Sequence, residues 1–350
     1  MKRKVAILGA TGAVGQRFIQ LLQGHPWFEI EVLAASERSA QKKYRKACNW
    51  ILESEMPQNI GETRVVDTSV QSVENAAKVD LIFSSLPADI AGPVEEEFAK
   101  KYPVFSKASV HRLEEDVPLL IPEVNPDHLA LIPIQKRERG WNGFISTDPN
   151  CSTIQLVMTL KPLMTFGLKE VVVSTMQALS GAGYPGVASL DIVDNLIPYI
   201  SKEEEKIETE PLKILGTFDG NRVRQANVTI SASCNRVAVK DGHTESVFVK
   251  LEGKPTIEEV KEAFGNFNGE PQALRLPSAP EKPIVVREEA NRPQPRYDRN
   301  EGNGMSVVVG RMRKDPLMTL KYTCLGHNTI RGAAGAAILS AELMTAKGYV

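Results

Sequence analysis

The chain has 350 residues, of which 42% are hydrophobic and 24% charged, so it has the composition of a soluble globular protein and the length of two domains. Its formal net charge of −1 gives no reason to expect nucleic acid or an anionic membrane as a partner. The four cysteines form no CxxC pair, and no signal peptide or long apolar run is present, which argues against a disulfide scaffold or metal site and predicts a cytoplasmic protein.

The N-terminal segment has the pattern of a dinucleotide-binding unit. Val5–Leu8 is a short apolar run typical of a buried parallel strand, and Phe18, Ile19, Leu21 and Leu22 follow at helical spacing. The glycines between them allow a tight turn and a close approach to a pyrophosphate at the helix N-terminus. A tight turn without a ligand is the alternative, because the spacing is GxxGxxG rather than GxGxxG. The predicted cofactor-binding residues are Gly9, Thr11, Gly12, Ala13, Val14 and Gly15.

The end of the second predicted strand, at residues 30–35, bears on the choice of cofactor. Glu37 is the acidic residue that would bind a ribose 2′-hydroxyl in an NAD site. Ser36, Arg38 and Ser39 instead offer hydroxyls and a cation to a 2′-phosphate. We therefore predict NADP as the cofactor. Residues 40–60 have no clear period and are predicted to form a basic surface loop.

Strands and helices continue to alternate as far as residue 106, which predicts a doubly wound parallel sheet with ligands outside the carboxyl ends of its strands. Ser84, Ser85 and Leu86 lie at such an end and are predicted to bind the cofactor. Arg112 either meets an anion at the same cleft or is a solvated surface residue. The predicted strands are 65–66, 79–83 and 104–106, and the predicted helices are 70–77 and 93–101.

Cys151 is the candidate nucleophile. A strand ends near Ile145, Pro149 interrupts it, and an apolar helical pattern begins at Ile154, so the cysteine lies in the first helical turn. Free N–H groups and the helix dipole favour an anion there, which lets a thiol ionise near neutral pH. The same N–H groups, together with the amide of Asn150, are candidates to hold an oxyanion. A buried cysteine that only packs is the alternative.

The pattern changes after this helix. A strand at 171–175 leads into a glycine-rich loop with Gln177 at its mouth, and residues 190–197 predict an amphipathic helix. The acidic run 203–206 is predicted to be a solvated helix face. Glu210 and Lys213 are three residues apart, neighbours on a helix, and a surface ion pair is the alternative to a site.

Two strand-like runs, 228–239 and 244–251, are joined by Asp241-Gly242, which predicts a β-hairpin. Arg236 and His243 then share one face of the hairpin, roughly 13 Å apart at the strand rise, so that the arginine has to lean towards the histidine. An exposed histidine beside a turn is the alternative. Further strands at 306–311 and 317–322 and a final helix at 333–346 complete the pattern.

Taken together, these motifs resemble the aspartate-semialdehyde dehydrogenase family, most closely its archaeal and fungal branch. The resemblance covers essentially the full chain and implies an NADP-dependent reduction of 4-phospho-L-aspartate to L-aspartate 4-semialdehyde and phosphate, in the biosynthesis of lysine, threonine and methionine. It also implies a homodimer or homotetramer. The motifs that carry it are Gly9–Gly15, Pro149–Thr153, Gln177–Gly183, Arg236 with Gly242–Glu245, and His327–Ala334.

Roles follow from matching positions in these motifs. The resemblance implies that Cys151 is the nucleophile, His243 its acid/base partner and Gln177 the residue that orients the acyl intermediate. Arg236 and Glu210 are implied to hold the carboxylate and amino group of the substrate. The implied phosphate neighbours are Lys213, Asn150 and Arg112, and the cofactor neighbours are Asn328, Ser180 and Gly181. Lys107 departs from the family, which generally has Asn there.

The resemblance predicts a dinucleotide-binding domain at residues 1–150, completed by a C-terminal helix at 328–350, and an α+β catalytic and dimerisation domain at 151–327. Two rival functions remain. A malonyl-CoA reductase of the same superfamily shares the scaffold and the nucleophile. A regulatory NADP-binding protein without catalysis is the second rival, and the presence of both Cys151 and His243 argues against it.

Overall fold

The structure, a computed structural model, describes residues 2–350. The strands are β1 Arg3–Leu8, β2 Phe28–Ala34, β3 Leu81–Ser84, β4 Pro103–Ser106, β5 Phe144–Thr147, β6 Leu168–Gln177, β7 Thr217–Phe218, β8 Val223–Arg224, β9 Thr229–Arg236, β10 His243–Leu251, β11 Ile284–Val286, β12 Val307–Lys314 and β13 Leu320–Gly326. The helices are α1 Ala13–Leu22, α2 Tyr44–Ala47, α3 Gln58–Glu62, α4 Val70–Ala76, α5 Ala88–Ala99, α6 Leu131–Arg139, α7 Cys151–Leu163, α8 Ser189–Ile192, α9 Glu203–Ile214, α10 Ile257–Gly265, α11 Glu270–Ala273, α12 Pro295–Asp298 and α13 Gly335–Ala346. A π-helical segment, Ile330–Ala334, precedes α13.

The first sheet has the order β2-β1-β3-β4-β5, and all its strands are parallel. Helices α1 and α13 pack on one face, and α4 and α5 pack on the other. The doubly wound sheet predicted from the alternating pattern is therefore confirmed. Because parallel strands end at the same edge, Leu8, Ala34, Ser84, Ser106 and Thr147 lie along one side of the sheet, where the ligand cleft is expected.

The second sheet has the order β11-β12-β13-β10-β6-β9 and is mixed. Helices α7, α9 and α10 cover one face, and their apolar side chains form a single core with β6, β10 and β13. On the opposite face Val172 is 43% exposed, and alternate residues of β9 are exposed as well. One face of this sheet is thus covered by helices, and the other is partly exposed.

The predicted hairpin between residues 228–239 and 244–251 is wrong. Strand β9 pairs in parallel with β6, and β10 pairs antiparallel with both β6 and β13, so β6 lies between the two predicted hairpin strands. Residues 237–242 instead cross the end of β6. There the N–H groups of Leu179 and Ser180 donate to the carbonyls of Val239 and Lys240. These bonds replace the hairpin register, although Gly242 does adopt a positive φ of 101°.

Three other local predictions fail. Residues 65–66 form only one isolated bridge, from Val66 to Ala34, and no strand of their own. The predicted surface loop at 40–60 contains the fully buried Tyr44, whose hydroxyl donates to Ala10. The predicted helix at 190–197 shrinks to α8, and Leu190 is 92% exposed. In each case the rest of the fold decides whether the apolar residues are buried or exposed, and the spacing of residues along the chain does not show this. No helix in residues 2–350 is long and apolar enough to cross a membrane.

A buried ion pair anchors the π-helical segment that precedes α13, the C-terminal helix that packs on the first sheet. Arg331 in the π-helical segment donates through Nη1 and Nη2 to the two carboxylate oxygens of Glu123, at 2.8 and 2.7 Å. Arg331 is 1% exposed and Glu123 4% exposed. The backbone beside this arginine contacts the nucleophile candidate, because a Cβ on Gly332 would lie 2.7 Å from the Cβ of Cys151.

We expect Arg331→Ala to lower the free energy of unfolding by about 3–5 kcal/mol, because it leaves the carboxylate of Glu123 buried without its partner. The matched control is Arg224→Ala, which removes an ion pair to Asp219 from a side chain that is 75% exposed. That variant should lose about 1 kcal/mol or less. Urea denaturation followed by circular dichroism measures both, and equal losses in the two variants would contradict the assignment of the buried pair.

Candidate active site

The nucleophile candidate lies at the start of a capped helix. Cys151 is the first residue of α7, and Asn150 is its N-cap. The Oδ1 of Asn150 accepts hydrogen bonds from the N–H groups of Ser152 and Thr153, at 2.9 and 3.2 Å, while its Nδ2 donates to Glu203. The sequence predicts that the amide of Asn150 helps to hold an oxyanion, but in the structure both ends of this amide are already hydrogen-bonded to protein groups. The N–H of Cys151 is the first-turn donor that this cap leaves for a substrate oxygen.

Cys151 and His243 are in contact. The distance from Sγ of Cys151 to Nε2 of His243 is 3.2 Å. The other ring nitrogen, Nδ1, accepts a hydrogen bond of 2.9 Å from the backbone N–H of Ala178. His243 is fully buried, so the alternative of an exposed histidine beside a turn is wrong. The predicted pair of nucleophile and proton partner is brought together by α7 and β10.

Arg236 reaches the same place from β9, although the hairpin that was expected to align it does not exist. Its Nη1 donates to the carbonyl oxygen of Ala178 at 2.7 Å. Ala178 therefore holds both side chains, the histidine by its N–H and the arginine by its carbonyl. Gly181 lies over them, because a Cβ on Gly181 would be 2.8 Å from Nη1 of Arg236 and 3.2 Å from Nε2 of His243. A glycine is required here by the close approach.

Gln177 is buried at the end of β6, and its Nε2 donates to the hydroxyl of Thr175 at 3.3 Å. The structure contains no hydrogen bond between Gln177 and Cys151. Its implied role as an orienting residue for the acyl group stays a prediction.

The electrostatics of the pair differ from the sequence expectation. Burial, together with the carboxylate of Glu203, raises the pKa of the Cys151 thiol to about 12, although Lys107, Arg112 and Arg236 act in the opposite direction. Burial also lowers the pKa of His243 to about 3, aided by the positive charges of Arg236 and His327. We had expected a thiol that ionises near neutral pH. Without substrate, the structure instead favours a neutral imidazole and an un-ionised thiol.

Glu210 and Lys213 are buried on α9 and do not form the alternative surface ion pair. Glu210 accepts from the N–H of Asn150 at 2.7 Å and from Nη1 of Arg112 at 2.8 Å. Lys213 donates to three backbone carbonyls, those of Arg112, Glu114 and Val117. With all three donors used, Lys213 does not reach the phosphate that the resemblance implies. Both residues support the backbone and the arginine around the cleft.

A cleft of about 320 Å³ opens beside Cys151. Lys107 lies in it with 9% of its side chain exposed, and its Nζ is 3.4 Å from the carboxylate of Asp148. Arg112 lines the same cleft and is 7% exposed, so it is not a solvated surface residue. The remaining lining residues come from both parts of the chain, among them Ala13, Val14, Leu86, Lys206, Ser180, Gly181, Asn328 and Gly332.

The glycine turn after β1 leads directly into this cleft. Gly9 has a φ of 76°, and a Cβ on Gly15 would lie 2.3 Å from the carbonyl oxygen of Gly9. Gly12 is the N-cap of α1 and provides no side-chain cap, so the first N–H groups of the helix are open to an anion. Gly9 and Gly15 are thus required by close packing. Gly12 leaves the N-terminus of α1 without a side-chain cap.

The other predicted cofactor residues differ in their exposure: some are exposed and others are buried. Ser36 and Arg38 are exposed beyond the end of β2, where Ser39 closes a turn by donating its N–H to Ser36. Ser84 is fully buried, and its hydroxyl is not exposed to the cleft. The hydroxyl of Ser85 donates to the carbonyl of Leu8 at the end of β1.

Asn328 joins two loops of the site. Its Oδ1 accepts from the N–H of Gly242 at 2.8 Å, and its Nδ2 donates to the hydroxyl of Ser180 at 2.8 Å. The amide therefore ties the residue that precedes His243 to the loop that covers it, while one edge of Asn328 still lines the cleft.

Comparisons with known proteins agree with this arrangement. Residues 4–132 match the model of the semialdehyde dehydrogenase NAD binding domain, and residues 160–331 match that of the semialdehyde dehydrogenase dimerisation domain. The aspartate-semialdehyde dehydrogenase of Methanothermobacter thermautotrophicus is 57% identical over 97% of this chain and 98% of its own length. The chain belongs to the aspartate-semialdehyde dehydrogenase family.

Two further similarities bear on the chemistry of this aspartate-semialdehyde dehydrogenase family member. The crystal structure of the Candida albicans aspartate-semialdehyde dehydrogenase with NADP superimposes with a TM-score of 0.91, at 41% identity, over 100% of both chains. The malonyl-CoA reductase (NADP) of Metallosphaera sedula is 42% identical over 99% of this chain and 98% of its own length. The family scaffold therefore accommodates both of the enzyme activities that the sequence analysis considered.

The sequence analysis missed Glu203. This glutamate was predicted to lie on a solvated face, yet it is 6% exposed and accepts the hydrogen bond from Nδ2 of Asn150 at 2.7 Å. A signal was present in the sequence. Glu203 shares a helical face with Ile207 and Ile214, which are fully buried, at spacings of four and eleven residues.

Since the charge of Glu203 raises the pKa of the Cys151 thiol, Glu203→Gln should lower that pKa. The thiolate fraction at a fixed pH then increases, and alkylation of Cys151 by iodoacetamide at pH 8 should become severalfold faster. Glutamine retains the oxygen that accepts from Asn150, so the cap is preserved. Glu205→Gln removes an exposed charge from the same helix and serves as the control. An unchanged or slower rate in Glu203→Gln would count against the electrostatic role.

Proposed function

We propose that the chain is an NADP-dependent aspartate-semialdehyde dehydrogenase that converts 4-phospho-L-aspartate into L-aspartate 4-semialdehyde and phosphate. This places it in the biosynthesis of lysine, threonine and methionine. The observation that carries the proposal is the 3.2 Å contact between Cys151 and His243, in a cleft that also opens onto the glycine turn of the first sheet. A nucleophile and a dinucleotide site in one cleft suit an acyl transfer coupled to a hydride transfer.

The residues present fit a bound NADP. The uncapped N-terminus of α1 and the glycine turn offer backbone N–H groups to the pyrophosphate. Ser36, Arg38 and Ser39 stand where a 2′-phosphate would lie beyond β2, and Leu86 and Asn328 line the cleft next to Cys151. When bound, the reduced nicotinamide supplies the hydride that the acyl carbon accepts.

Two buried cations beside the nucleophile fit the substrate phosphate. Lys107 and Arg112 both lower the pKa of Cys151 and both line the cleft. Lys107 lies 3.4 Å from the carboxylate of Asp148 and Arg112 lies 2.8 Å from that of Glu210, so each cation is partly neutralised before a phosphate binds. Lys107 thus offers this chain a phosphate contact where the family generally has Asn, in place of Lys213, whose donors are occupied. Arg236 is the matching group for the substrate carboxylate.

The steps follow from this placement. The sulfur of Cys151 attacks the acyl carbon, the carbon–oxygen bond to phosphate breaks, and the backbone N–H of Cys151 is placed to stabilise the oxyanion. The cations at Lys107 and Arg112 stabilise the thiolate and the leaving phosphate. His243 keeps a proton within hydrogen-bonding distance of the sulfur and of the substrate oxygen. It does so while the thioester is reduced and the aldehyde is released.

The uncovered face of the second sheet supports a homodimer. Val172 and the alternate side chains of β9 are exposed on a face whose opposite side is packed by helices. The matching family model is that of a dimerisation domain. We propose that a second copy covers this face, either in a dimer or in a tetramer built from it. Four cysteines without a disulfide fit a cytoplasmic location.

The proposed function is tested by measuring the reduction of NADP with L-aspartate 4-semialdehyde, with and without phosphate. In a parallel reaction, oxidation of NADPH is measured with malonyl-CoA. We expect phosphate-dependent activity in the first assay and little in the second. Phosphate-independent activity in the first assay together with rapid malonyl-CoA reduction would contradict the proposal in favour of the reductase.

In the same assay Cys151→Ser should reduce turnover by about 10⁴-fold or more, because a hydroxyl of much higher pKa replaces the thiol. Arg236→Lys should mainly raise the KM for the semialdehyde, by roughly tenfold, because a planar two-pronged carboxylate contact becomes a point charge. A kcat effect of Arg236→Lys as large as that of Cys151→Ser would show that the arginine does more than bind substrate.

A further inference from the structure

The hydrogen bond between Ala178 and His243 determines where the imidazole carries its proton. A backbone N–H only donates, so Nδ1 of His243 must accept with its lone pair at the observed distance of 2.9 Å. A neutral imidazole has one N–H, and that proton is then on Nε2. A flipped ring would place carbon atoms against both partners, so the orientation of the ring is fixed by the two contacts.

Nε2 faces the sulfur of Cys151 at 3.2 Å. We propose that the backbone N–H of Ala178 is a positioning group that locks His243 as the Nε2–H tautomer, so that the neutral ring donates a hydrogen bond to the sulfur and does not act as the base that removes the thiol proton. The tautomer itself is a property of the free protein, and only its consequence for turnover rests on the proposed function.

The surroundings keep the ring neutral. A second proton on Nδ1 would place two N–H donors against each other. The charged and titratable groups that face His243 are Arg236 from β9, His327 before the π-helical segment, and Cys151 from α7. The guanidinium of Arg236 opposes a further positive charge on the ring. The sulfur is in turn faced by Lys107, Arg112, Arg236 and Glu203.

The reaction balances without proton transfer through His243. On attack, the carbon–sulfur bond forms while the S–H bond and the carbon–oxygen bond break, and the electron pair of the carbon–oxygen bond leaves with phosphate, which takes the thiol proton. Hydride addition to the thioester gives an oxyanion, which re-forms the carbonyl and expels the sulfur as thiolate, and the thiolate then takes one proton from water. Throughout these steps the Nε2–H group donates first to the oxyanion and then to the thiolate, and it regains its starting state.

The lock can be removed by one substitution. Ala178 has φ −69° and ψ 153°, which is close to the φ of about −65° that proline requires. The preceding residue, Gln177, ends a strand and is extended, as the residue before a proline prefers. Ala178→Pro therefore deletes the donor with little change of backbone, and the proline Cδ that replaces the N–H hydrogen displaces Nδ1 of His243 from its position 2.9 Å from the backbone nitrogen. Ala178→Gly retains the N–H and is the matched control.

The first measurement is NMR of the full chain with ¹⁵N-labelled histidine, in the absence of any ligand. His243 is one of five histidines and is assigned with His243→Asn. We expect an unprotonated Nδ1 and a protonated Nε2 in the wild type and in Ala178→Gly, down to mildly acidic pH. A protonated Nδ1, or an imidazolium at neutral pH, in the wild type would overturn the proposal even if the proline variant does not fold.

The second measurement is the pH profile of iodoacetamide alkylation at Cys151, read by mass spectrometry of its peptide. The wild-type rate should keep rising with pH beyond 9, whereas a plateau from about pH 6 would show an imidazolium–thiolate pair and contradict the lock. In Ala178→Pro the displaced ring no longer donates from Nε2 to the sulfur, so kcat should fall by about 10²-fold, whereas Ala178→Gly should keep the wild-type kcat. Wild-type kcat in Ala178→Pro would overturn the proposal.

Discussion

The structure depends on the capping of α7 by Asn150. This one side chain satisfies two first-turn N–H groups, and it is itself held by Glu203 through its Nδ2 and by Glu210 through its backbone N–H. The cap fixes Cys151 as the first helical residue, between the parallel sheet and the mixed sheet. The buried carboxylate of Glu203 opposes ionisation of the nucleophile, and the cations of Lys107 and Arg112 offset part of that cost. The site is therefore a balance of buried charges rather than a single activating group.

Backbone groups do much of the positioning. The peptide units at Ala178 contact His243 through the N–H and Arg236 through the carbonyl, so the relative placement of two functional side chains is set by one residue. Gly181 and Gly332 allow the chain to lie directly on Arg236 and Cys151. These contacts are made by backbone groups and not by the side chain of Ala178. A search of the sequence for reactive or charged residues therefore does not find them.

Local signals in the sequence were sufficient for much of the fold. The strand–glycine–helix order at residues 5–22 and the helix that begins at Cys151 are both present, because a short run of residues determines each of them. The hairpin failed because pairing of β9 and β10 with β6 is decided by α9, which returns the chain in parallel, and not by the Asp241-Gly242 turn. Glu203 was missed because its burial depends on a contact with Asn150, 53 residues away. The raised pKa of Cys151 could not be predicted, because it follows from the burial of the thiol and from Glu203, neither of which the residues around Cys151 indicate.

The central claim is that Cys151 forms a covalent acyl intermediate in this cleft. The most direct measurement is mass spectrometry of the intact and digested protein after brief exposure to 4-phospho-L-aspartate in the absence of NADPH. The account predicts an aspartyl thioester on the peptide that contains Cys151, removed by hydroxylamine and absent from Cys151→Ser. An aspartyl adduct on Cys48, Cys234 or Cys324 instead, or full turnover by Cys151→Ser, would contradict it.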